Sequence, residues 1–122
     1  RVAKFYFDDL NDYKNIVKVS NIPDKLISSY HLIIFNFDFN KLLINKEKLI
    51  KILNKKKIFP QYHYIPIYKF TLYKKLNRLD KFKNSESYYK SSLSFPIYYG
   101  LEKKNLMKII KSVKQIINKY KI

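Results

Sequence analysis

An apolar stripe near the end of the 122-residue chain constrains its fold more than any other feature of the sequence. Apolar residues recur there at intervals of three and four with lysines between them, at Leu106, Ile109, Ile110, Val113, Ile116, Ile117 and Tyr120. This spacing is typical of an amphipathic helix that buries one face. The rest of the chain must therefore provide an apolar surface on which this long helix packs.

The other segments predict that surface as a mixture of helices and short strands. Apolar residues at positions 32–37 predict a buried strand, and Asn45 is the predicted N-cap of the helix that follows. Residues 94–98 look extended, as an edge strand or a strand start where Pro96 is tolerated. Two more helices are predicted, one around residues 85–90 and one at the chain start, with Val2, Phe5, Tyr6, Leu10 and Tyr13 at helical spacing. The predicted fold class is α+β.

The composition bounds the chain to one domain with a modest core. Hydrophobic residues make up 47% of the sequence, which is too apolar for a disordered chain. The formal net charge of +17 would ordinarily suggest nucleic acid, an anionic membrane or another polyanion as partner. Arg1 and Arg78 are the only arginines, however, whereas proteins that bind phosphates and bases favour arginine. An A+T codon bias, which enriches Lys, Asn, Ile, Tyr and Phe, explains the charge without a partner.

Absent residue types and patterns narrow the possible sites and locations of the protein. There is no cysteine, which excludes disulfides and thiolate metal sites, and two histidines make no convincing zinc site. No apolar run approaches the roughly 20 residues of a membrane span, and no signal-peptide pattern is present. We therefore expect a cytoplasmic protein without a metal, membrane or nucleic-acid partner. Because the chain starts at Arg1 within a helical pattern that no N-cap precedes, we expect a fragment whose upstream part is missing.

Residues 61–66 carry the most informative polar groups of the chain. In a strand, alternation gives two faces, with Phe59, Gln61, His63 and Ile65 on one and Ile58, Pro60, Tyr62 and Tyr64 on the other. An imidazole and an amide then lie together beside aromatic surface, and a proline stiffens the chain directly after them. This arrangement predicts the edge of a pocket.

Short motifs follow one another in a fixed order along the whole chain. Arg1, Ala3, Tyr6 and Leu10 come first, and a serine-histidine-leucine pattern follows at residues 28–32. Residues 61–66 then read Gln-Tyr-His-Tyr-Ile-Pro, and the last two motifs are Ser-Glu-Ser-Tyr-Tyr at 85–89 and Leu-Ser-Phe-Pro-Ile-Tyr at 93–98. In this order they resemble the small C-terminal domain of the DegT/StrS family of nucleotide-sugar aminotransferases, which depend on pyridoxal phosphate. Residues 61–73 resemble the branch that aminates a 4-keto sugar in pseudaminic acid synthesis.

Three positions depart from the family pattern. Tyr62 replaces a valine, and Lys46 stands near a usual arginine. Lys57 stands where the family has a glycine, so we expect the turn that this glycine makes to be built differently here.

The resemblance implies the small domain of a fold-type-I aminotransferase, with a short, mostly antiparallel sheet packed with helices and a long amphipathic helix at its end. Residues 1–122 would form this domain, and a large domain upstream would bind pyridoxal 5'-phosphate and supply the lysine that bonds to it. The implied reaction transfers an amino group from glutamate to the C4 ketone of a UDP-linked 4-keto-6-deoxy sugar. The implied full-length protein is a homodimer, and residues 1–122 alone would be inactive, with no catalytic, cofactor-binding or metal-binding residue.

The small domain would supply a wall of the sugar-nucleotide site. The residues implied in substrate binding are His63, Gln61, Tyr64, Tyr68 and Tyr73. A neutral imidazole at His63 could hydrogen-bond a sugar hydroxyl or a diphosphate oxygen. The alternative for His63 is a structural histidine with satisfied hydrogen bonds at a strand end. His31 is expected to orient backbone, and Tyr88 and Tyr89 to serve in packing.

Two other functions remain open from the sequence. One is a small basic nucleic-acid-binding module that uses the positive charge. The other is an aminotransferase-like paralogue or decayed fragment that keeps the fold as a dimer partner without activity. The residues upstream of Arg1 would separate these possibilities, because the enzyme needs a cofactor-binding domain there.

Overall fold

Helices and strands build one antiparallel sheet with its packing helices in the computed structural model, which describes residues 2–20, 22–23, 26–74 and 82–122. The helices are α1 (Val2–Leu10), α2 (Lys46–Lys55), α3 (Thr71–Lys74), α4 (Lys83–Ser91) and α5 (Lys103–Tyr120). The strands are β1 (Val17–Val19), β2 (Ile33–Phe37), β3 (Gln61–Tyr62) and β4 (Ser92–Phe95), paired in the order β1-β2-β4-β3. Each of these pairings is antiparallel. The predicted α+β fold with a short antiparallel sheet and a long last helix is confirmed.

The apolar stripe of α5 is buried, as its spacing predicts. Its buried members are Leu106, Ile109, Ile110, Val113, Ile116 and Ile117, while Tyr120 packs against the core from the side. One hydrophobic cluster joins them to α1, α2 and the sheet through Ala3, Tyr6, Leu10, Leu49, Ile50, Leu53, Ile33, Phe35, Phe37, Leu93 and Phe95. Burial of a side chain of this size contributes about 1.5–3 kcal/mol, so this cluster is the main source of stability.

Aromatic rings form the centre of the core between α1 and the sheet. Phe35 of β2 stacks on Phe95 of β4 with ring centroids 4.1 Å apart, and Tyr6 of α1 meets Phe35 edge-on at 5.3 Å. The Tyr6 hydroxyl donates a hydrogen bond to Pro96 O at 2.8 Å, which satisfies the one polar atom of this buried ring. Burial raises the pKa of Tyr6 well above its ordinary value. The first helix is thereby fixed to the end of β4.

Three elements differ from their predictions in extent or position. The strand expected at residues 94–98 is β4, which lies between β2 and β3 and ends before Pro96. Proline there removes no hydrogen bond from the sheet. Helix α1 ends at Leu10, and Tyr13 belongs to the 3₁₀ turn that follows. Strand β1 is not predicted, since three residues are too few to show a periodic pattern. Arg1, where the first helix is expected to begin, lies outside the described residues.

Helix α2 begins at the cap that the sequence predicts. Asn45 has extended backbone angles, and its Oδ1 accepts a hydrogen bond from Lys48 N at 2.9 Å. This bond satisfies one of the amide groups that have no partner in the first turn of a helix. The N-cap prediction is confirmed.

The turn after α2 corrects the expectation for Lys57. Lys57 N donates to Asn54 O and Ile58 N donates to Leu53 O, the two bonds of a Schellman motif. The φ angle of Lys57 is 61°, so lysine itself adopts the left-handed conformation that glycine usually supplies. The expected difference in the turn is therefore wrong. The turn is the ordinary one, and Lys57 is strained in it because its Cβ crowds the backbone.

Replacing Lys57 by glycine should stabilise the chain by about 1 kcal/mol, because glycine adopts the left-handed conformation without this steric cost. Urea unfolding followed by circular dichroism measures the change in the free energy of unfolding. Lys55→Gly, at the last helical position of α2, is the matched control and should lower that free energy by about 0.5–1 kcal/mol. Destabilisation by both substitutions would contradict the strain assigned to Lys57.

Candidate functional site

The sheet has a polar face on the side opposite its aromatic core. Ser92 and Ser94 alternate along β4 with two core residues, and both serines are buried. The Ser92 hydroxyl donates to Asn36 Oδ1 at 2.7 Å, and Asn36 Nδ2 donates to Ser20 Oγ at 2.9 Å. This row of hydrogen bonds satisfies polar groups that would otherwise be costly to bury. The polar face is therefore a built part of the fold.

His63 extends this polar face to the edge of the sheet. Strand β3 is shorter than the predicted one, because Gln61 and Tyr62 alone pair with Ser94 and Leu93 of β4. His63 follows the strand directly, and its Nε2 lies 3.1 Å from Ser94 Oγ. Gln61 and His63 thus both lie over Ser94, in agreement with the predicted alternation.

The imidazole of His63 is held between two elements. Ser94 of β4 bonds to Nε2, and the Tyr88 ring of α4 packs edge-on at 5.4 Å between centroids. Burial first, and then the positive charge of Lys46, lower the pKa of His63, so the ring is neutral near pH 7. Among the described residues, Nδ1 has no hydrogen-bond partner. A neutral ring held in this way has one nitrogen left for a ligand.

Lys46 lies at the centre of this edge and is not among the residues that the sequence predicts for the site. It is the first residue of α2, yet it is only 7% exposed. Its Nζ donates to Tyr89 O at 2.7 Å and lies 5.2 Å and 5.3 Å from the ring centroids of Tyr62 and Tyr89. Burial lowers the pKa of Lys46, and Glu47 partly opposes this effect. The sequence signal for Lys46 is its position, because a lysine in the first turn opposes the helix dipole.

Glu86 of α4 fastens the segment that follows His63. Its Oε2 accepts from Tyr68 OH at 2.9 Å and its Oε1 accepts from Lys69 Nζ at 2.8 Å. The bond from Lys69 is the main reason that the pKa of Glu86 is lowered. Tyr68 also stacks on Phe82, with centroids 4.6 Å apart. Residues 67–69 are thereby held against α4.

The five predicted substrate-binding residues occupy different environments. His63 is half-buried at the sheet edge and Gln61 beside it is exposed. Tyr64 is 98% exposed, so its ring faces outward, whereas Tyr73 is only 39% exposed. Tyr68 is buried, and its hydroxyl is bonded to Glu86. The structure thus brings Gln61 and His63 together, while Tyr68 fixes the backbone of the neighbouring segment.

Three further residues with predicted structural roles have clear positions. Tyr88 packs against His63 and Tyr89 against Lys46, in agreement with their predicted packing roles. His31 is exposed, and within the described ranges no hydrogen bond or ring contact joins it to this edge.

Positive charge is concentrated on another surface. A shallow concave surface of about 640 Å³, here called the lysine surface, is lined by Lys55, Lys56, Lys57, Lys104, Lys108 and Lys111. Its other lining residues are Met107, Ser112 and Gln115, so the lysine surface has no aromatic ring on which a base could stack. Lys46, at the His63 edge, is the first residue of α2, and Lys55, on the lysine surface, is the last. The length of α2 therefore separates these two lysines by about 14 Å.

Comparison with known proteins identifies the family of this fold. Residues 1–114 match the DegT/DnrJ/EryC1/StrS aminotransferase family. The chain belongs to this family. The resemblance carried by the ordered motifs is confirmed, and the His63 edge is part of an aminotransferase-family domain.

Several relatives of this aminotransferase-family chain are named as transaminases or aminotransferases. A UDP-4-amino-4,6-dideoxy-N-acetyl-beta-L-altrosamine transaminase of Campylobacter jejuni is 28% identical over 122 residues, which cover 98% of this chain and 31% of the relative. The structure of Helicobacter pylori PseC, an aminotransferase involved in the biosynthesis of pseudoaminic acid, aligns with a TM-score of 0.80 at 25% identity, over 97% of this chain and 31% of that one. The aminotransferase TlmJ from Streptoalloteichus hindustanus shares the fold, with a TM-score of 0.79 at 15% identity over 97% of this chain and 30% of that one. The chain therefore spans about 31% of the curated relatives' length.

A pyridoxal phosphate site cannot be built on the buried lysine in the described part of this aminotransferase-family chain. Such a site needs a lysine amine that is free to bond to the cofactor. Lys46 is the buried lysine here, and its Nζ is committed to Tyr89 O and two tyrosine rings. Within the described ranges, no cluster of His, Asp and Glu is placed to hold a metal ion. No helix there combines the length and apolar character that a membrane crossing requires.

Acidification should destabilise the aminotransferase-family chain through His63. Since folding lowers the pKa of His63, the unfolded chain takes up the proton first as the pH falls below about 6.5. Stability that is fully present above that pH is lost as the pH falls through the lower, folded pKa. Urea unfolding at about pH 7.5 and about pH 5.5 should show a smaller loss in His63→Asn than in the wild type.

His31→Asn is the matched control for this titration, because it removes the exposed histidine. It should keep the pH dependence of the wild type. A wild-type pH dependence in His63→Asn as well would contradict the environment assigned to His63.

Proposed function

We propose that this chain is part of an enzyme that transfers an amino group from glutamate to the C4 ketone of a UDP-linked 4-keto-6-deoxy sugar, in the synthesis of pseudaminic acid or a related surface-glycan sugar. The observation that carries the proposal is the match of residues 1–114 to the aminotransferase family. The whole-chain similarity to a transaminase named for a 4-amino-4,6-dideoxy sugar supports the class of substrate. The motif at residues 61–66 supports the same branch.

In this proposal residues 1–122 are the small C-terminal domain, and a larger domain holds pyridoxal 5'-phosphate and its lysine. The relatives' greater length supports that division. That larger domain would hold the cofactor, which would supply the carrier of the amino group between the donor and the keto sugar. The commitment of Lys46 to Tyr89 O is consistent with a cofactor lysine outside this chain. The complete protein is proposed to be a homodimer.

The small domain contributes a wall of the sugar-nucleotide site. His63 is the main contact, because Nε2 is held by Ser94 and Nδ1 remains for a sugar hydroxyl or a diphosphate oxygen. The lowered pKa keeps the ring neutral. In one tautomer Nδ1 can accept a hydrogen bond from a sugar hydroxyl, and in the other it can donate a hydrogen bond to an oxygen. A ring held on two sides loses little freedom when a ligand binds.

The remaining predicted residues extend this wall in two ways. Gln61 and Tyr64 have exposed side chains, which offer hydrogen-bonding groups and aromatic surface to a ligand, and Tyr73 is proposed to line the same wall. Tyr68 is proposed to act through its bond to Glu86, which fixes the backbone between Tyr64 and Tyr73. Together they would limit the access of water to the sugar.

A nucleic-acid-binding module is the second candidate, and the lysine surface is the observation that favours it. Lysines on a concave surface can neutralise several phosphates, and such binding weakens steeply with salt. Among the described residues its lining includes no arginine and no aromatic ring, so it offers a nucleic acid phosphate contacts rather than contacts to bases. The aminotransferase is preferred because it accounts for the ordered motifs and the family match.

Expression of the complete reading frame that contains these residues tests the proposed function. The purified protein, supplied with pyridoxal phosphate and glutamate, should convert a UDP-4-keto-6-deoxy-N-acetyl sugar to its 4-amino product, detected by mass spectrometry. In the absence of the sugar, 2-oxoglutarate formation should stop after about one turnover per active site, because the amino group then has no acceptor. A protein without transfer that binds duplex or single-stranded nucleic acid with a steep salt dependence would refute the enzyme and favour the second candidate. A protein with neither property would be the inactive paralogue.

His63→Asn in the complete enzyme should lower kcat/KM for the sugar nucleotide by about 10- to 100-fold, the effect of losing one hydrogen bond to a charged or polar ligand. The reaction with glutamate in the absence of the sugar should keep its rate. His31→Asn is the matched control and should leave both reactions unchanged. Unchanged kcat/KM in His63→Asn would reduce His63 to a structural role.

A further inference from the structure

We propose that Lys46 is a positioning residue that holds His63 in place by joining the start of α2 to both β3 and α4. The contacts of Lys46 support this inference. The inference rests on the proposed function only in what it says about binding of the sugar nucleotide. Lys46 itself is too buried to contact a ligand.

Lys46 contacts the chain neighbours of both members of the His63–Tyr88 ring pair. Its Nζ lies 5.2 Å from the ring centroid of Tyr62, the residue before His63. It also bonds to Tyr89 O at 2.7 Å and lies 5.3 Å from the Tyr89 ring, one residue after Tyr88. One ammonium group therefore fixes the two backbone segments whose side chains meet at the imidazole.

The position of Lys46 costs stability unless these contacts offset it. A cation in the first turn of a helix faces the positive end of the helix dipole, which costs about 0.3–1 kcal/mol. Burial of the ammonium group adds a further cost that hydrogen bonds and aromatic faces must offset. Tyr89 O lies in the last turn of α4, where carbonyl groups lack helical partners and carry partial negative charge. Lys46 thus joins the N-terminus of α2, which disfavours a cation, to the C-terminus of α4, which favours one.

Strand β3 needs such a support because it is short and lies at the edge of the sheet. It contains two residues, and among the described strands it pairs with β4 alone. Tyr62 is 52% exposed, so burial of its ring contributes little to holding the strand. The cation–π contact with Lys46 ties this ring to α2, and such a contact contributes about 0.5–2 kcal/mol.

The groups that face His63 come from three elements. Ser94 belongs to β4, Tyr88 to α4 and Lys46 to α2, and Lys46 is the one among these that carries charge at neutral pH. Removal of Lys46 should therefore change both the position of the imidazole and its electrostatic environment. A substitution that keeps the charge should preserve the environment.

Nuclear magnetic resonance of the 122-residue chain with ¹³C-labelled histidine tests the positioning. Its only histidines are His31 and His63, so the ring signals are two. In Lys46→Met, the nuclear Overhauser effect between the His63 and Tyr88 rings should weaken, and the titration midpoint of His63 should move upward. Lys46→Arg should restore both. An unchanged ring contact and midpoint in a folded Lys46→Met variant would overturn the proposal.

Lys48→Met is the matched control, because Lys48 is an exposed lysine in the same turn of α2. It should leave the ring contact and the midpoint as in the wild type. If Lys46→Met fails to fold, Tyr62→Leu removes one of the two ring contacts and keeps the charge. It should weaken the His63–Tyr88 contact with little change in the midpoint, and a wild-type ring contact in Tyr62→Leu would overturn the positioning.

Kinetics of the complete enzyme separate this inference from the proposed function. Lys46→Met should lower kcat/KM for the sugar nucleotide by about 10-fold through a higher KM, with the glutamate reaction unchanged, and Lys46→Arg should recover most of the loss. If the ring contact is lost while the kinetics stay at wild-type values, Lys46 positions His63 and the substrate role of His63 is wrong. If the ring contact persists, the positioning is wrong whatever the kinetics show.

Discussion

The alternation of serine and apolar side chains along β4 determines where the core and the polar site lie. Leu93 and Phe95 face the aromatic core, while Ser92 and Ser94 face the other way, and all four are buried because β4 lies between β2 and β3. A buried serine is tolerated only where its hydroxyl has a partner. Asn36 supplies that partner for Ser92, and His63 supplies it for Ser94. The same strand thus requires an apolar core on one face and polar side chains on the other.

A structural role and a binding role are compatible for His63. The bond between Nε2 and Ser94 Oγ is the contact that a structural histidine at a strand end would make. That bond also fixes the orientation of the ring, and it leaves Nδ1 as the remaining polar atom. Tyr88 adds a packing surface, and burial, together with the positive charge of Lys46, lowers the pKa of His63 and keeps the imidazole neutral. Preorganisation of this kind is what a binding residue needs, since a fixed ring loses little entropy when it meets a ligand.

Features that depend on local chemistry could be predicted from the sequence. The α5 stripe, the buried strand β2 and the Asn45 cap follow from periodicity and from hydrogen bonds within a few residues. The motif at residues 61–66 is also local in the sequence, and it predicts that Gln61 and His63 lie together at an edge.

Features that depend on distant contacts could not be predicted in this way. Lys46 and Tyr89 are 43 residues apart, and nothing between them indicates that they meet. The burial of Tyr68 depends on Glu86, which is 18 residues further along the chain. The conformation of Lys57 could not be predicted for a different, local reason. The hydrogen bonds of the Schellman motif override the conformational preference of lysine.

We propose that the polar edge at His63 forms a wall of a sugar-nucleotide site in a longer aminotransferase. The most direct measurement is a crystal structure of the complete protein with the 4-amino sugar nucleotide bound. His63 Nδ1 should then lie about 3 Å from a sugar or diphosphate oxygen, with Nε2 still on Ser94 and Lys46 still bonded to Tyr89 O. A sugar nucleotide bound away from β3, with His63 in contact with protein atoms alone, would contradict the claim.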